Sequence, residues 1–158
     1  MIEDHFSASW DNLVKTATIV VCLLVGFVAV VLVLVVENSL LKAGFLALFG
    51  GILAIPILWA PRGYTIRSKT VLVKRLVGDA EIHVAEEPRI WNWTWWGIRL
   101  FGSGGLYGYF GYFAFRGLGR VFLHATNRHN LVLIRDVGGR KYLISPDNPQ
   151  RLIQRLRM

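Results

Sequence analysis

Residues 16–36 read TATIVVCLLVGFVAVVLVLVV, 21 residues without one charged side chain. At about 1.5 Å per residue such a run makes a helix of about 31 Å, which matches the hydrocarbon core of a bilayer. It is apolar on every face, whereas a surface helix of a globular protein carries a polar stripe. A buried core helix would need a large surrounding core, which the rest of a 158-residue chain hardly supplies. The flank argues against a secretory signal. Glu3, Asp4 and Asp11 outnumber Lys15, the apolar run is too long, and no small-x-small cleavage site follows it.

A second run follows at residues 43–60, AGFLALFGGILAIPILWA, about 27 Å as a helix. Pro56 should kink or break its last turn. Only residues 37–42 separate the two runs, which predicts an antiparallel transmembrane hairpin over 16–60. A tail at 1–15 precedes it and a domain at 61–158 follows. Arg62, Arg67, Lys69, Lys74 and Arg75 come after the second run, against Lys42 in the hairpin loop and Lys15 before the first. The positive-inside rule then puts both termini in the cytoplasm of an inner-membrane protein with two spans. Two spans exceed what tethering needs, so the hairpin is itself a candidate surface for other membrane proteins or for self-association. Gly44, Gly50 and Gly51 would permit close helix contact, although no strict G-x-x-x-G occurs.

Charge is divided unevenly. Residues 1–60 hold Lys15 and Lys42 against Glu3, Asp4, Asp11 and Glu37, a balance of −2; the remaining sixteen Lys/Arg and six Asp/Glu make +10, and together they give the chain's +8. A domain of that charge beside an anionic leaflet is attracted by about 1 kcal/mol per basic residue near the surface. The alternative is a solvated basic face. Membrane lipids are thus expected partners, and Arg62, Arg67, Lys69, Lys74 and Arg75 are the candidate headgroup contacts. Cys22 is the single cysteine, so no disulfide framework or zinc site can form within one chain.

Beyond Pro61 the sequence is rich in strand signals. Runs at 64–67, 70–77, 81–85, 90–96, 120–126, 131–136 and 140–144 are separated by turn pairs such as Ser68 with Lys69 and Gly138 with Gly139. Residues 99–115, RLFGSGGLYGYFGYFAF, stand apart as a tight, bulged, glycine-rich loop. Asn148 is a good N-cap with Pro149 at the first helical position, followed by Leu152, Ile153 and Leu156 on one face. The expected architecture is α+β: a two-helix hairpin, then seven or so antiparallel strands in a barrel or sandwich, capped by a C-terminal helix.

Three stretches together carry a family resemblance: RLFGSGGLYGYFG at 99–111, ATNR at 125–128, and LVLI at 131–134 leading to YLISPDNP at 142–149. In these the chain resembles the bacterial pleckstrin-homology-like domains that follow two transmembrane helices in small membrane proteins. The resemblance covers roughly residues 64–156. It implies seven strands in two near-orthogonal sheets with a C-terminal helix, and no enzymatic activity. Eukaryotic relatives bind phosphoinositides through a basic loop between the first two strands. Here Arg67, Ser68 and Lys69 occupy that place, in a turn too short to wrap an inositol phosphate.

A search for chemistry finds little. Gly102, Gly104 and Gly105 resemble part of a dinucleotide fingerprint, but Tyr107 stands where the third glycine belongs and no helix follows. His5, His83, His124 and His129 show no ligand spacing, and a sheet-face or surface role is expected of them. Ser103 lacks the strand-turn-helix setting of a nucleophile. No cofactor, metal, small-molecule substrate or catalytic residue is expected. A nucleic-acid partner is not expected either, since no such module's signature is present.

The aromatic residues are more telling. Trp91, Trp93, Trp95 and Trp96 fall within six positions, with Arg99, Phe101, Tyr107, Tyr109 and Phe110 close behind. They suit a domain core, a bilayer interface or a partner surface. The reading that best joins these features is a non-enzymatic, membrane-anchored interaction or accessory subunit of a membrane protein assembly. The alternative is a sensor or anchor for anionic phospholipid surface.

Overall fold

A computed structural model describes residues 4–93 and 97–157. The chain opens on a strand, β1 (Asp4–Ser7), before the first helix, α1 (Asn12–Val35). The Asp11 carboxylate accepts the Val14 N–H at 2.8 Å and caps α1. The second helix, α2 (Ser39–Trp59), begins at a cap of the same kind, where Asn38 accepts from the N–H groups of Leu40 and Leu41. That cap draws Ser39 to Lys42 into the helix, so residues 36–38 alone form the hairpin turn where six were expected. Pro56 does not end α2. Proline removes only its own N–H, and the ladder resumes at Ala60 N–H to Pro56 O, 3.0 Å. Both helices are long and apolar enough to cross a membrane, and their apolar side chains point outward, Leu34 being 79% and Leu40 82% exposed.

The remaining strands are β2 (Gly63–Arg67), β3 (Thr70–Lys74), β4 (Ala80–His83), β5 (Arg89–Trp91), β6 (Gly97–Gly104), β7 (Tyr109–Phe115), β8 (Gly119–Ala125), β9 (Leu131–Arg135) and β10 (Lys141–Ile144). Helix α3 (Pro149–Arg157) closes the chain. One sheet has the order β1-β2-β3-β4, the other β5-β9-β10-β8-β7-β6. They do not close into a barrel; a bridge from Val84 to Asp136 joins the two.

Three features differ from the sequence expectation. Residues 4–7 form a strand with His5 opposite Thr65 and Phe6 opposite Tyr64. Four residues are too short for a readable alternation, yet Phe6 is buried and His5 Nδ1 meets Thr65 Oγ1 at 2.9 Å. The second is β10, which runs parallel to β8, because the β9–β10 hairpin folds it into the slot between β8 and β9. The third is the glycine-rich stretch, which is a long hairpin of β6 and β7 with a bulge between Arg99 and Phe101. Gly102 and Gly111 pair across it at φ +113° and +114°, and their missing side chains let the two backbones approach. About seven strands were expected, and ten are described.

Two cores result. Between the sheets, Tyr64, Ile66, Val71, Val73 and Ile82 face Val132, Ile134 and Ile144, with Leu152, Ile153 and Leu156 of α3 as the lid. On the outer face of the larger sheet, Leu131, Leu133, Leu123 and Phe113 pack under Trp91 and Trp93. Val14 of α1 belongs to this second core, so the hairpin and the domain share packing. The hydroxyl of Tyr64 donates to His124 O at 2.6 Å and accepts from Ser145 N–H at 3.0 Å, pinning the two sheets together.

Candidate functional site

The helical hairpin is inserted in the chain between β1 and β2 of one sheet, so the domain grips both of its ends. At the α1 end, Asp11 is buried. Its carboxylate receives the Tyr109 hydroxyl and the Arg128 guanidinium, with Arg128 Nε at 3.3 Å from Oδ2. Arg128 also lies over the Tyr109 ring, 5.8 Å from its centre. Burial and the Asp11 charge hold the Tyr109 phenol well above its ordinary pKa. About two turns further along, Thr18 accepts the Tyr107 N–H at 3.0 Å and reaches Gly105 O. Tyr107 sits at φ 59°, a left-handed position rare for a side-chain-bearing residue, in the turn that meets α1. At the α2 end, Val77 N–H donates to Leu58 O at 3.2 Å.

The basic candidates separate into two groups. Register pairs Gly63 with Lys74 and Arg67 with Thr70, so Arg62, Lys74 and Arg75 lie at one end of the β2–β3 hairpin and Arg67 and Lys69 at the other. Lys74 is bound to Asp79 at 2.5 Å, which holds the Asp79 carboxyl below its usual range, and Arg75 Nε donates to Gly78 O. Arg62 and Lys69 are exposed.

The aromatic candidates sort by sheet face, because side chains alternate along a strand. Trp91 and Trp93 are half-buried against Phe115, at 4.8 and 5.1 Å between ring centres, and Tyr109 is buried with them. Tyr107 turns to the helix, within 3.6 Å of Cys22 Sγ. Phe101 and Phe110 belong to the opposite face of the hairpin, and Arg99, which pairs with Phe113 before the bulge, borders the same cleft. Trp95 and Trp96 lie outside the described residues.

That opposite face does not meet α2 closely. A cleft of about 960 Å³ lies between them, within the range of about 300–1,000 Å³ usual for ligand pockets. Leu48, Ile52, Ile55 and Trp59 form one wall, spaced as one face of a helix, and Phe101, Phe110, Tyr112 and Phe122 the other. Gly102 and Gly111 add bare backbone, and Ser103 donates its hydroxyl to Leu106 O. Arg75 and Arg99 are the two charged residues in the lining. His124 also lines it, 4% exposed, with Nδ1 lacking a hydrogen-bond partner. Burial first, and the Arg75 charge second, push its pKa down to about 3, so the ring stays neutral.

Asp11 and His124 were not singled out by their sequence setting, though each left a trace. Asp11 precedes the apolar run as an N-cap should. His124 falls in phase with Phe122 in RVFLHAT, opposite Val121, Leu123 and Ala125. Among the described residues no three His, Cys, Asp or Glu side chains gather as metal ligands would.

Compared with known families, residues 62–158 match the model of the family described as Bacterial PH domain. The match begins after the hairpin, so β1, which completes the first sheet, lies outside it. No curated protein and no solved structure matches the chain.

Proposed function

The chain belongs to the bacterial PH domain family, and from that premise we propose that it is a non-catalytic, membrane-anchored interaction module, an accessory subunit of a membrane protein assembly. The supporting observation is the insertion of an outward-facing apolar hairpin between β1 and β2, locked at Asp11, Thr18 and Leu58. A domain held this way keeps one orientation to the bilayer. Its hairpin offers lipid-level surface to another protein's helices, where packing of small residues drives association. In this reading both helices cross the inner membrane and both termini are cytoplasmic, as the basic residues after α2 favour.

Purification of the tagged full chain from native membranes in mild detergent tests this. A second membrane protein at fixed stoichiometry is expected, and recovery of this chain alone, monomeric, overturns the reading. Orientation is tested separately with Val137→Cys in a Cys22→Ser background, since Val137 is 73% exposed in the β9–β10 turn. Labelling by an impermeant thiol reagent only after the cytoplasmic side is opened is expected.

A further inference from the structure

The cleft between α2 and the outer face of β6, β7 and β8 is not used by the interaction reading, and its chemistry is divided. Its walls are hydrocarbon and aromatic rings, contributed on one side by a helix apolar enough to lie in a bilayer. Its polar floor offers little to a charged group: Ser103 is satisfied by Leu106, and His124 is buried with Nδ1 unpartnered. Among the described residues its two formal charges, Arg75 and Arg99, are both positive, and no carboxylate lines it. An occupant must therefore carry a long apolar part and an anionic part, and must reach the cleft from beside α2.

We propose that this cleft seats an acyl chain of one anionic glycerophospholipid, drawn from the leaflet beside α2, with its phosphate held by Arg75 and Arg99. The chain lies between the Ile52–Ile55 wall and the Phe101, Phe110 and Phe122 rings. Guanidinium is suited to the phosphate because it donates in a planar fork. The neutral His124 ring leaves the interior without charge, which favours hydrocarbon there over a headgroup. The inference rests on the membrane placement of α2 and adds a ligand class and a site to it.

The test uses the full-length chain in mild detergent with phosphatidylglycerol and phosphatidylcholine supplied together, bound lipid being counted by native mass spectrometry. One phosphatidylglycerol per chain is expected, in preference to the zwitterionic lipid. Arg75→Gln with Arg99→Gln should lower its retention by roughly tenfold or more, since two charge-assisted contacts are lost. Phe122→Trp, which enlarges a wall, should also lower retention. Glycerol phosphate, the headgroup without its chains, should fail to displace the lipid. Equal retention of the two lipids, unchanged retention in the double arginine variant, or displacement by glycerol phosphate each overturns the proposal. A chain that stays with membranes through an alkaline carbonate wash but retains no phosphatidylglycerol overturns this inference alone. Release by that wash overturns the membrane placement with it.

Discussion

Asp11 and Arg128 join the first turn of a bilayer-length helix to the loop after β8, 117 residues away in sequence. Arg128 Nε is 3.3 Å from Asp11 Oδ2, while Oδ1 of the same carboxylate caps the helix through Val14 N–H. One side chain thus starts α1 and fixes its angle to the domain. Asp11→Ala removes the cap and leaves Arg128 and the Tyr109 hydroxyl without their acceptor. The Asp11 side chain is only 5% exposed, so a loss of about 2–3 kcal/mol is expected. Thermal unfolding of the full chain in detergent should show a lower midpoint, with Asp11→Asn intermediate because the amide oxygen still caps.

Tyr64 provides a second test. Its hydroxyl donates to His124 O and accepts from Ser145 N–H within the core shared by both sheets. Tyr64→Phe keeps the ring but orphans both backbone groups, which should cost about 1–3 kcal/mol in a denaturant titration. The variant also changes the alkaline limb of stability. Burial raises the Tyr64 pKa from 10.0 to about 12. A phenol whose folded pKa is raised contributes stability that is full below pH 10 and is lost as pH climbs toward 12. In Tyr64→Phe that decline should be shallower, with Tyr109 accounting for part of what remains.

What could be read from the residues follows the range of the interactions involved. The two apolar helices, the β9–β10 hairpin and α3 depend on neighbours within a few positions. Arg151 N–H does bond Asn148 Oδ1 at 3.0 Å, and Leu152, Ile153 and Leu156 do close the core. β1 is not legible locally because DHFS gains strand character only by pairing with residues 63–66, some sixty residues on. The β6–β7 hairpin was hidden by its own glycines, which usually break strands but here pair with each other. The cleft is less legible still. Ile52, Phe101 and Phe122 are separated by whole elements, and only the placement of α2 across the cleft from the sheet brings them to one site.

His124 predicts an acid limb. It stacks on Tyr142 with an interplanar angle of 5°, lies beside Phe122, and faces the charge of Arg75. With its pKa lowered from 6.5 to about 3, the unfolded chain binds the proton more readily than the folded one between those values. Stability from this group is therefore complete above pH 6.5 and falls as pH drops toward 3. Denaturant midpoints measured from pH 7.5 to pH 4 should decline in the wild-type chain. His124→Phe, which keeps a ring on Phe122 and Tyr142, should flatten the part of that decline centred below pH 6.5. An identical slope in the variant would assign the acid limb to other groups instead.

The glycines of β6 separate backbone need from mere tolerance. A Cβ on Gly102 would stand 2.1 Å from Phe110 O and 2.8 Å from Gly111 Cα, at φ +113°, a conformation that L side chains rarely adopt. Neither neighbour can move without breaking the β6–β7 ladder, so Gly102→Ala should destabilise by about 3 kcal/mol or more. Two residues on, a Cβ on Gly104 meets only Arg99 Cδ and Nη1 at 3.5 Å, an ordinary contact with a flexible side chain. Gly104→Ala should then fall within about 1 kcal/mol of wild type, since it removes backbone freedom from the unfolded chain without a clash. Melting of the two variants in the same detergent discriminates the cases. A large loss for Gly102→Ala with a small change for Gly104→Ala means that β6 and β7 touch backbone to backbone at Gly102 and Gly111. Equal effects would mean that the hairpin is looser there, and the bare-backbone floor of the cleft with it.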